Sequence, residues 1–247
     1  MIHSEIRFAD KINEYIFSSN KTGIGTLGEK ALHAIIKSYY NDNRESQERE
    51  VCGFVADILC EDQIIEIQTG NFDKLNKKLE KYLESYKVTV VYPVARVKNI
   101  IWVDTESGDI VSKHKSTKKG TGIEFLYEAS KIRKFLNNDN LNFEILLIDI
   151  DEYKLLDGYG PDKKRRCTKL YKMPISLHSW ISITNCNDLK KLLPSEITNG
   201  RFKFSDFEKM TKLKGRKARY SLNALIEYGV IKPVDKDGRA VIYELAT

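Results

Sequence analysis

Between Gly53 and Gly70 the apolar positions fall in two short runs (GFVADILC and QIIEIQ) parted by Glu61-Asp62. This pattern predicts two strands, Gly53–Cys60 and Gln63–Gln68, joined by a polar turn. With Glu61 and Asp62 as the loop, positions whose numbers sum to 123 face each other. Asp57 then lies opposite Glu66, with Cβ atoms roughly 5 Å apart. Alternation places Glu66 and Gln68 on one side of their strand and Ile65 and Ile67 on the other, which gives the hairpin a polar edge. Two facing carboxylates repel unless a cation sits between them. A hard divalent ion such as Mg²⁺ or Mn²⁺ suits one or two carboxylates plus water.

The flanking segments carry the helical period. In Gly28–Tyr40, Leu32, Ile35, Ile36 and Tyr39 form an apolar stripe. Glu29 lies three residues before Leu32 and seven before Ile36, so its carboxylate falls on the core-facing side. It either joins the hairpin acids at a metal site or stabilises the helix N-terminus through the macrodipole. His33, one turn on, either contacts a phosphate or metal-bound water or is a satisfied, partly buried histidine. Asn71–Tyr86 reads as a second helix with Leu75, Leu79, Tyr82 and Tyr86 inward. On another face Lys74, Lys77, Lys78 and Lys81 form either a solvated stripe or a track for a phosphate backbone. Val88–Pro93 and Ile100–Asp104 read as two further strands.

This order of helix, acidic hairpin, helix and strand, with Asp57, eight intervening residues and then Glu66-Ile67-Gln68, resembles the core of the PD-(D/E)xK nucleases. The resemblance covers roughly residues 20–105. It implies a restriction-endonuclease-like α/β fold, a mixed sheet flanked by helices, in which Glu29, Asp57, Glu66 and the Ile67 carbonyl hold Mg²⁺ or Mn²⁺. Asp57, Glu66, Glu29 and Gln68 would then be the catalytic set. The family's Lys is replaced by Gln68, which would orient water but supplies no charge. Ala56 stands where a Pro often precedes the Asp. Lys30, Lys74 and Lys78 are candidate sources of the missing cation, and Lys74 and Lys78 are also candidate DNA contacts.

The middle of the chain predicts a helix over Ile123–Leu136 and strands over Phe143–Ile150 and Ser176–Ile183, with Lys113–Gly122 a basic, mobile loop. In Tyr159–Lys172, Lys163, Lys164, Arg165, Arg166, Lys169 and Lys172 surround Tyr171. Such a tract either binds a nucleic-acid backbone or is a solvated hairpin tip.

From Asp188 the pattern changes. A short helix should end at Pro194. A second helix should start at Ser205, with Glu208 as its capping-box partner, and run to about Leu213. A third spans Arg216–Glu227, closed by Gly229. Strands Val230–Val234 and Ala240–Leu245 would flank a turn at Asp235–Gly238. Helix, helix-turn-helix and hairpin resemble a small winged-helix domain, so the chain divides into a nuclease-like domain over 1–185 and a DNA-binding domain over 186–247. The resemblance makes Arg216, Lys217, Arg219, Tyr220 and Asn223 groove-facing, with Lys236 and Arg239 on the wing. From Asp188 onward 13 Lys and Arg oppose 8 Asp and Glu, a net of +5.

The whole chain has 247 residues, 31% charged and 41% hydrophobic, enough to bury one large or two smaller cores. Its net charge of +6 leans toward an anionic partner, here nucleic acid and most naturally DNA. Without a membrane-length apolar run or a signal-peptide pattern, no membrane partner is expected and a cytoplasmic location is. Cys52, Cys60, Cys167 and Cys186 have no zinc spacing and fit reduced thiols. A homodimer would suit the cutting of two strands. The expected function is a metal-dependent DNA nuclease targeted by the winged helix. The alternatives are a catalytically inactive DNA-binding regulator and an ordinary acidic edge joined to a dimerisation module.

Overall fold

The computed structural model describes residues 3–20, 31–158 and 167–246. Its elements are mixed α/β. In chain order they begin with α1 (Glu5–Asn20), α2 (Ala31–Tyr40), β1 (Gln47–Val51), β2 (Phe54–Cys60), β3 (Gln63–Ile67) and α3 (Asn76–Tyr82). Then come β4 (Lys87–Val103), β5 (Ile110–Lys115), α4 (Phe125–Ala129), β6 (Leu141–Leu155) and β7 (Lys169–Ile183). The C-terminal part holds α5 (Ser195–Thr198), β8 (Phe202–Lys203), α6 (Phe204–Thr211), α7 (Arg216–Glu227), β9 (Ile231–Asp237) and β10 (Ala240–Leu245). A large mixed sheet runs β1-β2-β3-β4-β6-β7, with β5 paired to β4, and a second sheet runs β8-β10-β9.

The chain forms two compact units. One comprises residues 1–47, 93–120 and 146–180. In it α1 packs on α2, burying Phe8 and Ile12 with Leu32, Ile35, Ile36 and Tyr39. The apolar stripe expected over Gly28–Tyr40 is therefore the buried face of α2, although residues 28–30 lie outside the described residues. Two expected strands, Val88–Pro93 and Ile100–Asp104, prove to be one, β4. The intervening polar residues keep an extended backbone because its hydrogen-bonding groups find partners: Gly120 N–H donates to the Ala95 carbonyl, Val97 N–H to Asp149, and Ser116 N–H to the Lys98 carbonyl. Pro93 fits within it because its fixed φ is compatible with an extended chain. The first half of the expected Lys113–Gly122 loop is likewise strand, since Lys113–Lys115 pair with Asn99–Ile101.

The second unit comprises residues 48–92, 121–145 and 181–247. β3 pairs antiparallel with β2 and parallel with β4. Its residues 64–67 are all buried, so it is a central strand rather than the polar edge expected from alternation. α3 is shorter than the helix expected to Tyr86. A 3-10 turn, Phe72–Leu75, precedes it, and it ends at Tyr82 because Lys87 N–H must reach the Asp62 carbonyl to open β4. Leu75, Leu79 and Tyr82 fill its inner face, with Phe72 fully buried ahead of them. Burying each such side chain contributes about 1.5–3 kcal/mol. The helix expected over Ile123–Leu136 breaks into α4 and a 3-10 segment, Ser130–Phe135, kinked at Ile132.

Candidate functional site

The hairpin register is the expected one: Ile58 faces Ile65, Leu59 faces Ile64 and Cys60 faces Gln63, each pair summing to 123. Glu61, in the turn, takes a positive φ of 50°, as a tight hairpin requires. The same register continued sets Asp57 against Glu66. The two side chains are differently engaged. Asp57 turns one oxygen back to the main chain of β3, where Ile67 N–H donates to Oδ2 at 2.7 Å.

Glu66 is only 3% exposed. Lys78, projecting from α3, donates to both its oxygens at 2.9 and 2.8 Å and to the Val55 carbonyl at 2.7 Å. The cation at Glu66 is thus a lysine from the next helix, one of the three considered from sequence. Burial nevertheless pushes the Glu66 carboxyl up to about 7, against the downward pull of Lys78. The nearby Asp57 charge adds to the rise.

Gln68 does not face these acids with free donors. Its amide nitrogen donates to the Gly70 carbonyl at 2.7 Å and to the Asn71 carbonyl at 3.3 Å, fixing the loop that leads to α3. Lys74 is exposed on the 3-10 turn, and Lys78 is half-buried. Glu29 and Lys30 lie outside the described residues, as do Lys163–Arg166. His33 is half-buried on α2. Among the described residues no group of three or more His, Cys, Asp or Glu side chains could hold a metal ion. The carboxylate oxygens of Asp57 and Glu66 are donors of the kind hard divalent ions take, and Lys78 occupies both of those of Glu66.

In the C-terminal part, α5, which no sequence signal pointed to, precedes β8, and β8 pairs with β10 through Phe202–Tyr243 and Lys203–Ile242. The cap of α6 differs from the expectation. Asp206, not Ser205, supplies it, accepting from Lys203 N–H at 2.9 Å, while Glu208 accepts from Gly215 N–H at 2.6 Å and ties the turn before α7. The Asp235–Gly238 turn is tighter than expected. Asp237 pairs with Ala240, leaving Gly238 and Arg239 as the loop, with Gly238 at φ 59°. Lys236 and Arg239 are exposed there.

α7 buries Ala218, Ser221, Leu222, Ala224 and Leu225 and exposes Arg216, Lys217, Arg219, Tyr220 and Asn223. Its first turn carries three cations, Arg216, Lys217 and Arg219, and no acid, the reverse of what the helix dipole favours. Sequence reasoning missed that α7 packs against α4. Tyr127 of α4 meets Tyr220 edge-on at 6.4 Å, and Lys217 Nζ sits 5.4 Å from the Tyr127 ring centre. The Ile123–Leu136 segment also holds the loop before α3, since Phe72 N–H donates to Glu128 at 3.0 Å. No local pattern announces either contact.

Residues 30–184 match the family model described as a domain of unknown function (DUF8091). The chain belongs to the DUF8091 family. The DUF8091 match spans the acidic hairpin, α3 and the large sheet, and stops before α5. An uncharacterized protein of Treponema pallidum (strain Nichols) is 28% identical over 221 residues, covering 89% of this chain and 86% of its own. That length extends well past the DUF8091 match. No solved structure matches the chain.

Proposed function

We propose that this DUF8091 protein is a metal-dependent DNA nuclease of the PD-(D/E)xK type, with α5–β10 acting as a winged-helix nucleic-acid-binding module. The observation that carries the reading is the placement of Asp57 and Glu66 on neighbouring strands, with β3 antiparallel to β2 and parallel to β4. Adjacent strands in a mixed sheet are what the resemblance implies. The helix and strand order of α5–β10, with β8 paired to β10, supports the second part.

Asp57, Glu66 and the Ile67 carbonyl would hold Mg²⁺ or Mn²⁺, with Glu29 joining them by resemblance. When bound, such an ion polarises a phosphate oxygen and lowers the pKa of water. The side chains of this protein do the rest. Ile67 N–H holds Asp57 Oδ2, which fixes the carboxylate's orientation. Lys78, anchored on the Val55 carbonyl, would supply the positive charge that Gln68, standing in for the family's lysine, does not. Gln68 spends its donors on the loop, so Lys78 takes over the role of charged partner.

One observation favours a second reading, the inactive DNA-binding regulator: Lys78 occupies both Glu66 oxygens. Cleavage assays separate the two. Supercoiled and single-stranded DNA, incubated with Mg²⁺ or Mn²⁺, should be cut by the wild type and not by Asp57→Asn or Glu66→Gln. Lys78→Met should lose about 10²–10³ in rate, the usual cost of one charge-stabilising group. DNA binding by a wild type that cuts neither DNA nor RNA would establish the second reading instead.

A further inference from the structure

We propose that the seam where α7 packs on α4 is a binding site for single-stranded nucleic acid, built from Tyr127, Tyr220, Arg216 and Lys217. The proposal rests on the reading that the chain acts on nucleic acid, and it names the form of substrate the C-terminal module takes. Tyr220 is 44% exposed and meets Tyr127 edge-on, with ring centres 6.4 Å apart. Three cations surround the pair. Arg216 lies 5.1 Å from the Tyr220 ring centre, Lys217 5.4 Å and Lys131 4.9 Å from that of Tyr127.

Lys131 is already paired with Glu128 at 2.9 Å. Arg216 and Lys217 have no carboxylate partner among the described residues, and neither does Arg219, whose guanidinium stacks on Phe204 at 3.9 Å. The acids nearby are committed elsewhere. Glu128 also accepts from Phe72 N–H, and Glu227 faces Arg133 at 3.6 Å. Arg216 also donates from Nη2 to the Tyr220 hydroxyl at 3.4 Å. Rings hold these cations in place while their remaining N–H donors face solvent, the combination that binds single strands by stacking and charge together.

Packing argues for a single strand over a duplex. A major groove about 12 Å wide admits one helix of that diameter, its outer flank clear. Here α4 lies along the flank of α7 that bears Lys217, Tyr220 and Ala224. An unpaired base can reach Tyr220 where a groove wall cannot.

Fluorescence anisotropy of the full chain in EDTA, with labelled oligothymidylate of twenty nucleotides and a duplex of equal length, tests this. The single strand should bind tighter. Tyr220→Ala should weaken it about 5- to 150-fold, the span of one base-stacking contact, and Tyr220→Phe should not. Arg216→Gln/Lys217→Gln, both exposed positions, should lower the salt slope by about 1.4, two single-strand phosphates. Tighter binding of the duplex, or single-strand binding indifferent to both Tyr220→Ala and the double substitution, overturns the seam. Ring-dependent binding without any metal-dependent cleavage leaves the seam standing and removes only the nuclease reading. Cleavage with binding indifferent to the seam residues does the reverse.

Discussion

Lys78→Met would strip a carboxylate that is 3% exposed of the ammonium now bonded to both its oxygens, while keeping most of the side-chain stem. The cost depends on pH, because Glu66 can escape by protonation. Below its ordinary value of 4.5 the carboxyl holds its proton in both folded and unfolded chains and contributes nothing. Between 4.5 and about 7 the folded chain keeps a proton that the unfolded chain releases, so stability falls as pH rises through this window. In the wild type the whole fall is worth about 3 kcal/mol. Above about 7 the wild-type penalty stops growing, because Glu66 ionises against Lys78.

Without Lys78 the carboxyl stays protonated to higher pH, and the penalty continues at about 1.4 kcal/mol for each pH unit. Lys78→Met should therefore cost under about 1 kcal/mol at pH 5, about 1.4 at pH 8 and about 3 at pH 9, approaching the roughly 3–5 kcal/mol of a broken buried pair. Urea unfolding followed by far-UV circular dichroism from pH 5 to 9, at constant ionic strength, reads these values. An equal loss at pH 5 and pH 9 would refute the reasoning, since it would mean that Glu66 does not titrate against Lys78.

The companion Glu66→Gln removes the titrating group, and its stability should stay level between pH 5 and 7 where that of the wild type falls; a preserved slope in the same titration would count against the raised carboxyl. Gly120→Ala places a Cβ 2.5 Å from Val94 Cγ1 and 2.6 Å from the Ala95 carbonyl oxygen. Because the backbone cannot give way cheaply, this should cost about 1–3 kcal/mol, and an unchanged thermal midpoint would show that the strand edge is looser. Asp206→Ala removes the acceptor for Lys203 N–H and should cost about 1 kcal/mol by chemical denaturation, whereas Ser205→Ala should cost little.

What could be read from sequence was local. Two polar residues between apolar runs set the hairpin register, and continuing it one step past Ile58–Ile65 brings Asp57 near Glu66. The period of Ala218, Leu222 and Leu225 and the glycines on either side placed α7. What escaped was set by distant parts of the chain. The burial of Glu66 comes from β3 being covered on both sides, which two flanking isoleucines do not distinguish from an edge strand. The Lys78 contact needs α3 to cross back over β2, and nothing in a stripe of four lysines marks which one turns inward. The length of β4 follows from partners more than twenty residues away, Gly120 and Asp149. The seam depends on Tyr127, a residue without any local signature.

The central claim is that Asp57 and Glu66 are a metal-binding pair. Isothermal titration calorimetry with Mn²⁺, on the wild type and on Asp57→Ala/Glu66→Ala, reaches it most directly. The account predicts saturable heat in the wild type that disappears in the double variant while its circular dichroism is unchanged. A folded wild type that takes up no Mn²⁺ even with DNA present, or a double variant that binds it equally well, would contradict the claim.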